Sequence, residues 1–499
     1  MVENAVPARA AGRPRLGFFA ICLAYCAIIL DASVLNVAVP AIRSGLGSSM
    51  AGAQWVLDAY TLPLAALLLT AGALGDRLGL RRMLLGGIAL FTLASAACAA
   101  APDPGALIAA RAVQGIGAAA LLPATLAMIP HLFPAAAGQA RAAVTWVAAG
   151  AVAVALGPLT GGALIGAFGW RSIFLINLPI GVISIALIAA SVTETPRPAA
   201  VTGTSRPAAV GETPRRAAVT GTSRPATVTE TSRRAAPLDH PGQVAAVAAL
   251  GLLTAALILG GSAGWADPAT LAALAGAIAA AAGFRWRERR AAHPLVPPSF
   301  LADRTRTVAI ASAGLMGFAF YGTLFVTSLY FQQLRGQSPA AAGLALLPLT
   351  AGSAIGPLLL YRPLARRYGH PPLLLAGFTL CAAGTATLGW LGPHTSYAVA
   401  AAGLLLTGAA STIAFSALTS LLMASVPPAQ SGLGSGLQNT TRQSGALIAV
   451  SILGSVLSPG LGGGRLAAAF VIIGIAALAG ITAGLLALRA ATRAEPVPA

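Results

Sequence analysis

Apolar residues along this chain neither alternate with polar ones nor recur once per helical turn; they run on without a break. Stretches of about 20 apolar residues recur from Leu16 almost to Leu488. That is the length a helix needs to cross a hydrocarbon core of ~30 Å at about 1.5 Å per residue. The runs predict spans near 16–39, 52–71, 83–101, 105–129, 141–165, 170–190, 242–261, 268–284, 307–331, 340–361, 371–391, 397–423, 431–458 and 466–488, fourteen in all. Only helices and closed barrels satisfy their backbones in lipid, and runs this long exclude barrel strands of about ten residues. The reading is an all-α polytopic membrane protein. An even number of spans puts both termini on one side.

The polar interruptions organise the rest. Residues 193–237 are five tandem nonapeptides, from TETPRPAAV to TETSRRAAP. Proline near the centre of the first four repeats and at the end of the fifth, and the lack of an apolar stripe, leave no core to bury. They read as a disordered linker that either spaces two halves, touches anionic headgroups through its arginines, or is phosphorylated on Thr and Ser. A weaker symmetry relates residues 72–90 to residues 360–380, the same turn in two six-helix halves once two central spans are set aside. Parallel six-helix repeats are a secondary-transporter architecture. The expected division is 1–190 for an N-terminal six-helix bundle, 191–241 for the linker, and 242–284 for two additional helices. A basic loop at 285–306 and a C-terminal six-helix bundle at 307–499 complete it.

Composition agrees: of 499 residues, 57% are hydrophobic and 9% charged, with a mean hydropathy of +0.81, where a soluble domain carries about a quarter charged residues. The net charge of +18 comes from 31 basic residues, all arginine. On a soluble chain that excess would point to nucleic acid. Placed against the spans, 25 arginines fall on the side of the termini and 4 on the other, so the charge is a topology signal, both termini are cytoplasmic, and nucleic acid is not a partner. The first run has no small-residue cleavage site and reads as a retained helix. Cys22, Cys26, Cys98 and Cys381 all sit inside apolar runs with no metal-type spacing.

Three groups of residues carry candidate chemistry. In the turn GALGDRLGLRR, Gly72, Gly75 and Gly79 allow a tight backbone beside Asp76, Arg77, Arg81 and Arg82. A carboxylate among guanidiniums at helix ends can hold one conformation and release another; a plain positive-inside loop is the alternative. Gly150, Gly157 and Gly161 share one helical face, with Gly162 following, and Pro158 permits a bend. Ordinary close packing is the alternative there.

The third group is intramembrane charge: Asp31, Asp58, Arg111 and Arg442, each costing roughly 2.5 to 3.5 kcal/mol at a helix centre. Asp31 lies about 12 Å, Asp58 about 9 Å and Arg111 about 9 Å below the outer ends of their spans, so a single titrating cluster is expected. A carboxylate paired with arginine stays ionised, whereas a desolvated one takes a proton; a static ion pair remains the alternative. The C-terminal half offers Arg442 no acid, which leaves an N-half residue, a carbonyl or an anionic substrate group as its partner. Trp55, Tyr60, Trp146, Phe318, Tyr321, Phe325, Tyr330, Phe331 and Phe415 are large enough to shape a cavity. His131, His240, His293, His370 and His394 fall in loops or at span ends and receive no proton role.

GALGDRLGLRR resembles the cytoplasmic signature of the major facilitator superfamily. LDASVLNVAVP (30–40), QWVLDAY (54–60), RAVQGIGAAALLP (111–123), GAVAVALGPLTGG (150–162), WRSIFLINLPIG (170–181) and SGLGSGLQNTTRQSG (431–445) resemble, in order, signatures of its fourteen-span drug:proton antiporters of the EmrB/QacA type. The resemblance implies the major facilitator fold, with fourteen helices arranged as two six-helix bundles and two extra helices between them. It implies coupling and cation recognition at Asp31, a proton step at Arg111, and a conformational lock at the Asp76 turn. GPxxGG, here Gly157, Pro158, Gly161 and Gly162, resembles a motif of antiporters rather than importers. The second copy of the turn departs from the pattern, with Arg366 where Asp76 would stand.

The expectation is a multi-pass transporter of the cell membrane, acting as a monomer without cofactor or metal. It would export hydrophobic or cationic small molecules, drugs and antibiotics among them, in exchange for protons. No GxxxxGK[ST] loop implies ATP, and no catalytic set implies an enzyme. An importer of the same fold and a non-transporting sensor or scaffold are the competing readings.

Overall fold

The computed structural model describes residues 14–192, 239–291, 294–427, 430–462 and 464–494. The nonapeptide repeats lie outside the described residues, as does the side chain of Asp76. No strand occurs among the described residues. The first six long helices are α1 (Pro14–Leu46), α2 (Met50–Leu78), α3 (Leu80–Ala100), α4 (Pro104–Ala127), α5 (Ala136–Phe168) and α6 (Ser172–Ser191). A hairpin of α7 (His240–Ser262) and α8 (Pro268–Arg290) follows. Next comes α9 (Arg304–Leu334), whose last turn widens to a π-helix at Tyr330–Leu334. The broken α10 runs as Pro339–Ala345, Leu347–Ile355, a π-helical turn Gly356–Leu360 and Tyr361–Tyr368. The chain closes with α11 (His370–Gly389), α12 (Tyr397–Ser425), α13 (Ser431–Leu457) and α14 (Arg465–Ala494).

Among the described residues, eleven helices are long and apolar enough to cross a bilayer: α1, α3 to α9, α11, α12 and α14. Three of the fourteen runs expected to span, α2, α10 and α13, are not among them, and for the last two the reason is visible. The helix α10 is interrupted twice, and α13 carries Gln438, Asn439, Thr440, Thr441, Arg442 and Gln443 in succession. Only 22% and 17% of the most apolar stretches of α7 and α8 are buried within the protein, so their outward faces need lipid to cover them.

Helix ends explain several charges that a topology count treats as loop residues. Asp103, Asp239, Asp267 and Asp303 each stand at an N-cap and accept from backbone N–H groups of the first turn. Pro104 and Pro268 occupy the first helical position behind two of them. The repeated turn is also visible in the backbone. Gly79 and Gly369 each end one helix and begin the next, with φ of 94° and 78°, a conformation that side-chain-bearing residues rarely adopt.

Helices α1 to α6 pack mainly on one another, α9 to α14 likewise, and the α7/α8 hairpin lies against α2 and α13. The two groups meet along α2 and α13, α5 and α10, and α1 and α9. Prolines create part of this seam. Pro40 has no N–H to give the Asn36 carbonyl four residues back, and Ser328 of α9 donates to that carbonyl instead (2.9 Å). Gln332 adds a bond to the Val37 carbonyl (3.0 Å). Within the first group Pro158 frees the Val154 carbonyl, and Ser33 of α1 donates to it (3.1 Å).

The hydrogen bonds that cross between the groups among the described residues involve Asn36, Val37, Gln54, Asp58, Ser328, Gln332, Val450 and Ser451. All of them lie toward the end of the bundle that carries the α1–α2 and α9–α10 turns. Ser328→Ala and Pro40→Ala are expected to loosen this end by about 1 kcal/mol each. Because they remove the same bond, the double variant should loosen it no further than either one. Labelling of a cysteine placed at Val37, in a background lacking the native cysteines, reports the opening.

Candidate functional site

The first group holds a polar network inside an apolar bundle. Asp31 of α1 takes the Arg111 guanidinium of α4 at 2.6 Å, with both side chains almost wholly buried. Gln114, one turn after Arg111 on the same face, donates to the other Asp31 oxygen (3.0 Å). Asn177 of α6 donates to that same oxygen (2.9 Å) and also to Ser95 of α3 (3.1 Å). Arg111 reaches the Gln114 amide oxygen (2.7 Å) and, through Nε, the Val56 carbonyl of α2 (3.3 Å). The Tyr60 ring stands 4.1 Å from its Cζ as a cation–π partner. Gly115 lets α4 come this close to α2, because a Cβ there would overlap the Tyr60 carbonyl. Five helices thus meet around one ion pair, and every Asp31 oxygen is engaged.

Asp58 is not part of that cluster. Depth along a helix does not fix azimuth: Asp58 and Gln54, four residues apart, share the face of α2 that looks at α13. Tyr60, two residues on and so about 160° round the helix, looks at Arg111. Buried Asp58 accepts from Ser451 (2.8 Å). Gln54 donates to the Val450 and Ser451 carbonyls (3.2 and 2.9 Å). Asp58 is therefore a contact between the two groups, and the expected single cluster of three charges is a pair plus a separate carboxyl.

Arg442 of α13 is half-buried, with Tyr321 of α9 (3.1 Å) and Asn439 (3.3 Å) as its hydrogen-bond partners. Tyr321 and Phe415 flank its guanidinium at 5.9 and 5.5 Å. Between the groups lies a cavity of about 40 Å³ bordered by Asn36, Tyr60, Arg111, Tyr321, Gln443 and Val450, among others. That volume admits water, whereas drug-sized ligands need several hundred Å³, so this conformation is nearly closed around its centre.

The glycines named from the sequence sit at close approaches. A Cβ on Gly150 would reach the Tyr25 ring at 2.5 Å and one on Gly161 would reach Val34 at 2.8 Å; one on Gly157 would overlap Ser33. All three neighbours are on α1. Gly162 faces the Pro339 carbonyl of α10, and Gly343 of α10 faces the Pro158 carbonyl in return. At the α2–α3 turn Arg81 donates to the Ala189 carbonyl at the end of α6 (3.1 Å). Arg77 and Arg82 are also partnered. A Cβ on Gly72 would meet open space.

Of the aromatics, Tyr60 and Tyr321 line the cavity, and Trp146 stacks on Tyr25 at 3.8 Å. Phe325, Tyr330 and Phe331 are core residues. Gln114, Asn177, Ser95, Ser451 and Tyr25 join the site without having been singled out from sequence. Gln114 and Asn177 had a signal in the strings RAVQG and INLPIG; serines in apolar helices have none, because most bond a carbonyl of their own helix.

An all-helical membrane protein with two helix groups, a buried ion pair and a cavity between the groups has the build of a secondary transporter. The profile of the Major Facilitator Superfamily matches residues 21–236 and 242–450, and the chain belongs to that superfamily. It is 34% identical over 432 residues to the multidrug resistance protein Stp of Mycobacterium tuberculosis, covering 86% of this chain and 73% of that one. It is 33% identical over 481 residues to the methylenomycin A resistance protein of Streptomyces coelicolor, covering 95% and 92%. Among solved structures it resembles a bacterial homolog of the human lysosomal transporter Spinster in an inward-facing and occupied conformation. That match has a TM-score of 0.65 at 16% identity over 97% of this chain and 98% of that one, a likeness of fold. The protein is a multi-pass membrane transporter and not an enzyme.

Removing Arg111 alone leaves a buried, unpaired carboxylate. Arg111→Gln is expected to cost about 3 kcal/mol or more, and Asp31→Asn combined with Arg111→Gln less than Arg111→Gln alone. Unfolding of the purified variants in detergent measures both.

Proposed function

We propose that this transporter exports hydrophobic or cationic small molecules, drugs and antibiotics among them, by alternating access in exchange for protons. The observation that carries the reading is the Asp31–Arg111 pair, buried in one helix group and bordering, through Arg111, the cavity shared with the other. A proton taken up by Asp31 removes the charge that holds Arg111, and the donors from Gln114 and Asn177 lose their anion at the same moment. Helices α1, α4 and α6, tied together by that anion, are then free to rearrange. For a neutral cargo each proton moving inward contributes about 2.3 kcal/mol per 100 mV, enough for gradients of tens-fold; for a monovalent cation the one-for-one exchange moves no net charge and the pH gradient drives it.

Asp58 serves as a second carboxyl at the seam, where its contact with Ser451 survives in either protonation state because the Ser451 hydroxyl has the Leu447 carbonyl as an alternative acceptor (3.0 Å). The Asp76 turn, with Gly72, Arg77, Gly79, Arg81 and Arg82, acts as the lock at the opposite end.

The resistance proteins to which the chain is similar, and the GPxxGG string at Gly157 to Gly162, support export over import. The arginine bias supports fourteen crossings with both termini cytoplasmic. On that reading residues 1–190 and 307–499 are the moving bundles, residues 242–284 an added helix pair, 191–241 a spacer, 285–306 a basic loop, and the monomer the working unit. The end of the bundle joined by the inter-group bonds is then the outer one, and the described conformation is closed on that side.

In a host lacking its own pumps, the protein is expected to lower accumulation of a lipophilic cationic dye. That effect should vanish with a protonophore and with Asp31→Asn, and persist when residues 193–237 are deleted. Efflux that survives both the protonophore and Asp31→Asn would remove the coupling mechanism; efflux lost only on deleting the repeats would favour a scaffold.

A further inference from the structure

Arg442 forms no ion pair among the described residues, in contrast to Arg111. Its hydrogen-bond partners, the Tyr321 hydroxyl and the Asn439 amide oxygen, are neutral. A guanidinium has five N–H donors; here two are engaged, and the Nε–H is buried with no acceptor. The next residue, Gln443, lines the cavity, and its Oε1 is buried without a partner. Around the charge stand the Tyr321 and Phe415 rings. Tyr25 of the other helix group stacks on Trp146 at 3.8 Å. Both oxygens of Asp31 are already held by Arg111, Gln114 and Asn177, and Asp58 is engaged in the seam. Arg442 thus stands as a cation without a charged partner among the described residues, next to the cavity that its neighbours Tyr321 and Gln443 border.

We infer that Arg442 is the recognition point for an acidic group, a carboxylate or an acidic phenol, on a hydrophobic cargo whose apolar body packs on the Tyr321 and Phe415 rings. Two guanidinium N–H groups aimed at one carboxylate make a charge-assisted fork that a neutral ester cannot match. Binding an anion also offsets the cost of holding Arg442 unpaired inside the membrane. The inference rests on the exporter reading and narrows its substrate class. A fatty acid or an anionic phospholipid headgroup carries the same chemistry, so the test separates lipid from cargo.

The full chain in phosphatidylcholine nanodiscs is titrated with a fluorescent aromatic carboxylic acid, its methyl ester and its trimethylammonium counterpart. The acid is expected to bind more tightly than the other two. Arg442→Gln should weaken the acid about ten- to hundredfold and leave the ester unchanged, and Arg442→Lys should fall between, since it keeps the charge but loses the fork. Equal weakening of acid and ester by Arg442→Gln would assign Arg442 to helix packing and overturn the proposal. So would preference for the trimethylammonium form, or loss of acid binding when phosphatidylglycerol is added, which would make the site a lipid's. Binding of none of the three probes would overturn this proposal and the exporter reading together. Arg442-dependent acid binding, without movement of that acid under an imposed pH gradient, would overturn the exporter reading alone.

Discussion

A carboxylate buried in a membrane bundle has to be matched charge for charge and bond for bond, and the Asp31–Arg111 pair at 2.6 Å sets that requirement for the whole first helix group. An ion of this kind costs several kcal/mol to desolvate, so it persists only where neighbouring elements supply donors. Gln114, Asn177 and, behind Asn177, Ser95 supply them from α4, α6 and α3. Gly115 removes the side chain that would keep α4 away from α2. The network therefore determines how five helices sit, and a change in the charge of one carboxyl is felt by all of them at once.

The second constraint is that two helix groups must touch without fusing. The seam is built from devices that are cheap to break: a few hydroxyl and amide donors on carbonyls and on the Asp58 carboxyl, and glycines that let backbones meet. Pro40 leaves the Asn36 carbonyl open for Ser328, and Gly162 and Gly343 bring α5 and α10 into backbone contact. Such contacts are each worth about 1 kcal/mol, so the seam can open at a cost the central pair can meet. Arg442, flanked by rings and short of a counter-charge, sits on the opposing group, where a cargo would bridge the two.

Much of this was legible in the chain. The apolar runs mark the helices, depth and opposite sign bring Asp31, Asp58 and Arg111 to one level without saying which acid takes the guanidinium, and the spacing of Gly150, Gly157 and Gly161 places them on one face, the one that meets α1. What escaped did so for physical reasons. Depth without azimuth grouped Asp58 with Arg111, although Asp58 turns to α13. Serine and glutamine partners carry no charge to betray them. Asp103, Asp239, Asp267 and Asp303 are helix N-caps, a role that the apolar runs alone do not mark. The interruptions of α10 fall at Leu346, beside Pro348, and at the π-helical turn that carries Pro357; prolines remove backbone donors without showing in an apolar count.

In the proposed cycle the Asp31 carboxyl exchanges the driving proton. Proton entry into proteoliposomes carrying an internal pH dye, recorded while an exported dye is supplied on the cytoplasmic face, measures this directly. The account predicts cargo-dependent proton movement in the native chain and in Asp58→Asn, and none in Asp31→Asn. Equal proton movement in Asp31→Asn and the native chain would contradict it.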